Sequence, residues 1–332
     1  KEQIIELSNE LGVSASDIAE SAYNAISSSV DTADAVGFVE QATKLATSGF
    51  TDTTTAIGVL STAINSYGLE TSQASQMSDY LITAQNLTKT SVAELAAGME
   101  NIIPVAANYN VGMENLTSAY VTLSENGATT AESTTYLESL FRELGDSGSI
   151  VSKTLRESTG MSFESLMKQG ESLGDIIEIL SESVDGDTDA FNELWGSSEA
   201  GTGALSLLSS GAEKYNGVLA QMEQSTGATD TAFEDMTDTV EYAKQKMENS
   251  FENMKIAIGD QLTPVIKNLS EAGAEAFGWA TDFINDHPEI VTAVTAVAVG
   301  LGGMVTAVTA VSTATSIAST IWESFTTLVA AH

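Results

Sequence analysis

"GATTAE", Gly127–Glu132, is a helix stop followed at once by a helix start. Gly127 can take the left-handed conformation that closes a helix, Thr129 stands where an N-cap belongs, and Glu132, three residues on, can return the hydrogen bond. The same arrangement occurs twice earlier, in "GVSASD" at Gly12–Asp17 and "GLETSQ" at Gly68–Gln73. The three glycines lie 56 and 59 residues apart. Ser14 with Asp17 and Thr129 with Glu132 make capping boxes, while the middle copy has Glu70 and Gln73 and is weaker. The helices before the second and third glycines also match. Ile57 and Ile64 align with Leu116 and Leu123, and Phe50 and Tyr109 fall at equivalent points ahead of them. The repeat predicts antiparallel helix pairs that stack with their apolar stripes turned to one shared core.

Outward from these copies, helical spacing dominates and no stretch holds a strand alternation, so the fold class is all-α. Four parts follow. Residues 1–145 hold the repeated helix pairs, and 146–228 read as short helices joined by Gly and Ser. Residues 229–287 carry the longest periodic run: Phe233, Met236, Val240, Ala243, Met247, Phe251, Met254, Ile258 and Leu262 step by three and four. Such a heptad-like seam over roughly 30 residues predicts about 45 Å of helix, bent or interrupted at Thr263-Pro264. Its apolar face packs either on the chain's own helices or on copies of itself.

Residues 288–332 form an apolar segment. Pro288 suits the first turn of a helix, Glu289 its positive end, and from Ile290 to Trp322 no charge occurs. The stretch is long enough to cross a bilayer, which needs about 20 residues. It is built of Val, Ala, Thr and Gly, however, and a buried hairpin broken at Gly300, Gly302 and Gly303 is an equal reading.

Little chemistry is on offer. "VDGDTDAFNELWG", Val184–Gly196, opens like a calcium loop with Asp185, Asp187 and Asp189, but the positions for the turn glycine and the bidentate glutamate hold Ala190 and Gly196. Asp187 reads instead as an N-cap, with Ala190, Phe191 and Leu194 opening the next helix. "GTGALS" at Gly201 lacks the third glycine of a dinucleotide loop and follows no strand. With no cysteine, thiolate metal sites and disulfides are excluded, and His287 and His332 are the two imidazoles. No catalytic, cofactor-binding or metal-ligating residues are therefore assigned, no cofactor is expected, and an enzyme is not. The net charge of −34 comes from scarce Lys and Arg rather than an acidic tail. A surface so acidic argues against direct binding to nucleic acid.

Several stretches together resemble the phage tail tape measure family. They are "LWGSSEAGTGALSLLSSG" (Leu194–Gly211), with Trp195 where the family commonly has Phe, "MEQSTGATDTAFEDM" (Met222–Met236), "IGDQLTPVIKNL" (Ile258–Leu269) and "GATTAESTTYLESLFREL" (Gly127–Leu144). The apolar segment after "DHPEI" fits as well. The resemblance covers nearly the whole chain, which reads as a fragment of a longer one. It implies a structural virion protein that occupies the tail tube lumen and sets how many tube rings assemble. Such a protein is made in the host cytoplasm and leaves the tube ahead of the DNA. Its implied partners are the tail tube protein and tail assembly chaperones, a second copy through the 233–262 seam, and the host membrane through 290–322. Two other readings remain: a membrane-active pore-former working through 290–322, and a helical scaffold with no phage context.

Overall fold

A computed structural model describes residues 1–272. His287, His332 and the uncharged stretch 290–322, with the membrane and hairpin readings that rest on it, lie outside the described residues. Lys1–Lys255 form one compact unit, and the chain from Ile256 onward belongs to a second.

The described chain is all-α, with no strand. The helices are α1 (Glu2–Leu11), α2 (Ala15–Ser27), α3 (Ala35–Ser48) and α4 (Thr53–Tyr67), then a 3-10 turn (Thr71–Gln73) leading into α5 (Ala74–Leu87). After these come α6 (Val92–Asn108), α7 (Met113–Glu125) and α8 (Thr130–Gly145). Shorter helices follow, α9 (Ile150–Thr159), α10 (Phe163–Gln169), α11 (Leu173–Glu182) and α12 (Thr188–Glu193). The last four are α13 (Ser198–Ser210), α14 (Ala212–Glu223), α15 (Ala228–Thr237) and α16 (Val240–Ala272).

The glycine stops behave as their sequence predicts: Gly12, Gly68 and Gly127 all take positive φ, at 63°, 63° and 93°. The starts differ from one another. At Thr129 the box closes both ways, with Glu132 N–H donating to Thr129 Oγ1 at 3.2 Å and Thr129 N–H to Glu132 Oε2 at 2.8 Å. At Ser14 only half of it closes, Asp17 N–H donating to Ser14 Oγ at 3.1 Å, because an aspartate is one methylene shorter than a glutamate. The middle copy, expected to be the weaker, opens as the 3-10 turn with a capping box between Glu70 and Gln73, Glu70 N–H donating to Gln73 Oε1 at 3.2 Å. A full box at Ser91 and Glu94 starts α6, outside the three-copy pattern.

An Ala/Ser/Thr-rich chain packs by close approach of helices. The most extensive contacts join α4 to α6, α6 to α8 and α8 to α13. One buried apolar cluster runs from Leu7 to Met222 and draws on residues of both 1–145 and 146–228. Ile57, Ile64, Leu116 and Leu123 all lie in it. Helix α7 is covered on all sides, polar residues included. Its hydroxyls are satisfied by its own backbone: Thr117 Oγ1 donates to Met113 O at 2.8 Å, Ser118 Oγ to Glu114 O at 2.7 Å, and Thr122 Oγ1 to Ser118 O at 2.9 Å. A serine or threonine so bonded can be buried at a helix contact without an unmatched polar group.

Tyrosines supply much of the large buried surface. Tyr215 is fully buried, and its hydroxyl donates to Asn115 O at 2.7 Å. Burial pushes the Tyr80 and Tyr242 hydroxyls up from 10.0 to about 12, and raises those of Tyr67, Tyr120 and Tyr215 as well. Groups with a raised folded pKa stabilise fully below the unfolded value and lose that contribution as pH rises through the folded one. Denaturant midpoints should therefore hold steady approaching pH 10 and fall from there to about 12. A midpoint unchanged between pH 10 and 12 would contradict this.

The structure corrects the long helix in one place and, at Thr263-Pro264, removes one of two readings. The run from Phe233 is divided: α15 ends at Thr237, Asp238 leaves the helical region with ψ 57°, and Thr239 Oγ1 accepts from Tyr242 N–H at 3.1 Å to start α16. "TDT" is thus a stop and a cap, because short polar side chains compete with the backbone for helix bonds. Pro264 does not interrupt α16, which continues to Ala272.

Candidate functional site

The acidic turn is a cap. Asp185 and Gly186 both take positive φ, at 56° and 71°, and turn the chain so that Asp187 Oδ1 accepts from Ala190 N–H at 2.8 Å at the start of α12. Phe191 and Leu194 are buried behind it, as the capping reading expects. Among the described residues no group of three or more His, Cys, Asp or Glu side chains is placed to hold a metal ion.

"WGSSEAGTG" is a helix start clamped from outside. Glu143, near the end of α8, accepts from Gly196 N–H at 2.7 Å through Oε2. Its Oε1 accepts from Ser197 N–H at 2.9 Å and from Ser197 Oγ at 2.6 Å. The carboxylate therefore satisfies donors at the positive end of α13, where negative charge is favourable. Trp195 packs edge-on to Phe191 at 6.0 Å between ring centroids. Gly201 and Gly203, the would-be nucleotide glycines, lie inside α13. A Cβ on Gly203 would stand 2.9 Å from Tyr136 Cβ, so this glycine serves the close contact of α13 with α8.

A second clamp, unmarked in the sequence, fixes α15. The Asp79 carboxylate on α5, 5% exposed, accepts from Gly227 N–H at 2.9 Å and Thr229 N–H at 2.8 Å. Lys44 on α3 pairs with Glu40 at 2.8 Å and Asp230 at 2.9 Å. Burial alone would lower the Lys44 pKa, but the hydrogen bonds and charges of these two carboxylates outweigh it and raise the pKa.

Helix α16 meets α1 with a polar face. Tyr242 Oη donates to Leu11 O and Asn249 Nδ2 to Gly12 O, while Asn253 Nδ2 reaches Ser8 Oγ and Asn9 Oδ1, each at 2.8 Å. Positions 242, 249 and 253 share one side of the helix; the first two satisfy open carbonyls at the end of α1, and the third meets its side chains. The apolar seam lies around the helix from them. Of its members, Phe233 packs against the core from α15, Met236 is 37% exposed, and Met247 on α16 is 48% exposed. Among the described residues no helix is long and apolar enough to cross a membrane.

The family described as phage-related minor tail protein matches residues 1–196. The probable tape measure protein of Clostridium phage phiCD119 is 30% identical over 283 residues, which cover 82% of this chain and 30% of that protein. The tape measure protein of Pneumococcus phage Dp-1 is 22% identical over 274 residues, 81% of this chain and 24% of that protein. The chain thus spans less than a third of the length of these curated relatives. No solved structure matches. The family match removes the reading as a scaffold with no phage context: the chain belongs to the phage-related minor tail proteins, in the tape measure family of phage tails.

Proposed function

We propose that this chain is part of a tape measure that sets tail tube length during assembly and leaves the tail during DNA ejection. Within it, residues 1–255 act as a folded body and the measuring begins on α16. The observation that carries this reading is the division of labour on α16. Its polar face holds the chain's own α1, while Met247 on the seam stays exposed. The seam is then free for a second copy, and the 33 residues of α16 add about 50 Å of uniform rise. A compact body, by contrast, converts added residues into almost no length.

The partners in this reading are the tail tube protein and tail assembly chaperones. Its location is the host cytoplasm and then the tube lumen, with the host membrane reached through 290–322 at ejection. A chain of net charge −34 inside the tube would not hold the DNA that later passes. The role is structural rather than catalytic.

The test compares two insertions in the parent phage. Four heptads, 28 residues, added in register after Lys255 should lengthen tails by about 42 Å or the nearest whole ring. The same 28 residues placed in the exposed turn between Gly186 and Asp187 should leave length unchanged. Equal tail lengths for the two would remove α16 from the ruler.

A further inference from the structure

The turns that join α3 to α4 and α6 to α7 are built alike. In the first, Gly49 closes α3, Phe50 takes a φ of 53°, Thr51 N–H donates to Ala46 O at 2.9 Å, and Asp52 caps α4. In the second, Tyr109 closes α6, Asn110 takes a φ of 59°, Val111 N–H donates to Ala106 O at 2.9 Å, and Gly112 stands at the cap. Position for position Phe50 answers to Asn110, one residue off the sequence alignment that pairs it with Tyr109.

The two turns differ in what lies over them. The second has α10 beside it, with Asn110 itself still exposed: Asn110 Nδ2 donates to Glu164 O at 3.4 Å, and the Tyr109 ring lies 6.3 Å from that of Phe163. The first is bare, with Phe50 72% exposed. Asparagine tolerates the left-handed conformation, whereas a bulky residue there is strained. At Phe50 no burial offsets the strain, so folding of this chain alone gives no reason for a phenylalanine. Immediately after it, Thr51 and Asp52 line a cleft of about 410 Å³ whose α2 side carries Asp17 and Glu20. Thr43 also lines the cleft; it is 2% exposed, and its hydroxyl has no hydrogen-bond partner.

We propose that the α3–α4 turn docks a basic amphipathic helix from another tail protein. An apolar side chain of that helix covers Phe50, much as Phe163 of α10 packs beside Tyr109 at the counterpart turn. A lysine or arginine enters the cleft between Asp17, Glu20 and Asp52 and supplies the missing donor to Thr43. A second copy of this chain is the poorer occupant of this acidic cleft, because with 12 basic residues against 46 acidic ones it has little basic surface to offer there. The inference rests on the tail role but not on measuring, so its readout is the yield of tails and never their length.

Phe50→Asn separates folding from docking. In the purified chain it relieves the strain, and Tm should rise by about 2–4 °C. In the parent phage it removes the anchor, and the yield of tails should fall at least tenfold. A photo-cross-linking benzophenone amino acid at position 50, used during infection, should join the chain to a different tail protein through a peptide of net positive charge. Unchanged tail yield with Phe50→Asn overturns the proposal, as does a lowered Tm. So does a cross-link to a second copy, to a peptide without net positive charge, or no cross-link beyond that given by the probe at Ser29, an exposed residue just after α2 that also takes a positive φ, 71°.

Discussion

Asp79→Ala destabilises the chain by about 3 kcal/mol, the result expected when a buried carboxylate loses two backbone donors. Asp79 is nearly inaccessible, and its two oxygens accept from Gly227 and Thr229 at the start of α15. Hydrogen bonds to a charged group contribute about 1.5–3 kcal/mol each, and the positive end of the helix adds a fraction more. Against this stands the desolvation of the carboxylate, which keeps the net below the sum. For a body of this size the loss lowers Tm by about 6–12 °C. It should fall locally first. Amide exchange at Thr229 should speed up before exchange on α7, since α15 rests on α3 and α5 and carries the joint to α16. Asp79→Asn keeps one acceptor but turns an amide N–H₂ toward the other donor, so it should lie between wild type and Ala. A change under about 0.5 kcal/mol for Asp79→Ala, measured by urea unfolding, would show that the clamp contributes nothing net.

What could be read before the structure, and what could not, divides by distance along the chain. Helix stops and starts are local. The glycine at 127 and the Thr129–Glu132 pair sit within six residues, and their geometry follows from the residue types alone. The acidic turn was legible for the same reason, since two failed ligand positions are visible in one loop. The break at Asp238 escapes the periodicity because apolar spacing persists across it, and periodicity does not weigh a Thr-Asp-Thr competing with the helix. The clamps of Asp79 on α15 and Glu143 on α13 were beyond reach. Each joins residues far apart in sequence, and an aspartate or glutamate in a chain with 46 acidic residues carries no mark of being the one that folds inward. The choice of partner for the 233–262 seam was likewise open, because an apolar stripe states that something covers it and not what. The polar face on α1 narrows that choice for α16 by occupying the chain's own helix with asparagines.

Gly201 and Gly203 in "GTGALS" look equivalent in sequence, and substitution should separate them by sign. Both lie in the interior of α13, where Gly→Ala gains about 1 kcal/mol of helix propensity. At Gly201 an added Cβ meets its nearest atoms, Asn192 Oδ1 and Trp195 Cβ, at 3.7 Å, an ordinary contact. Gly201→Ala should therefore stabilise by up to about 1 kcal/mol. At Gly203 the Cβ would stand 2.9 Å from Tyr136 Cβ and 3.5 Å from its backbone carbon and oxygen. These atoms belong to α8 itself and cannot swing aside, so α13 and α8 must part. Gly203→Leu should cost about 3 kcal/mol or more, the upper range of overpacking, because it forces apart one of the most extensive helix contacts in the body. In the parent phage the same change should lower tail yield through loss of folded chain, while Gly201→Ala leaves tails normal. If the two variants shift the urea midpoint in the same direction, the close approach of α13 to α8 is not what the second glycine serves, and the likeness of "GTG" to a ligand loop would need another explanation.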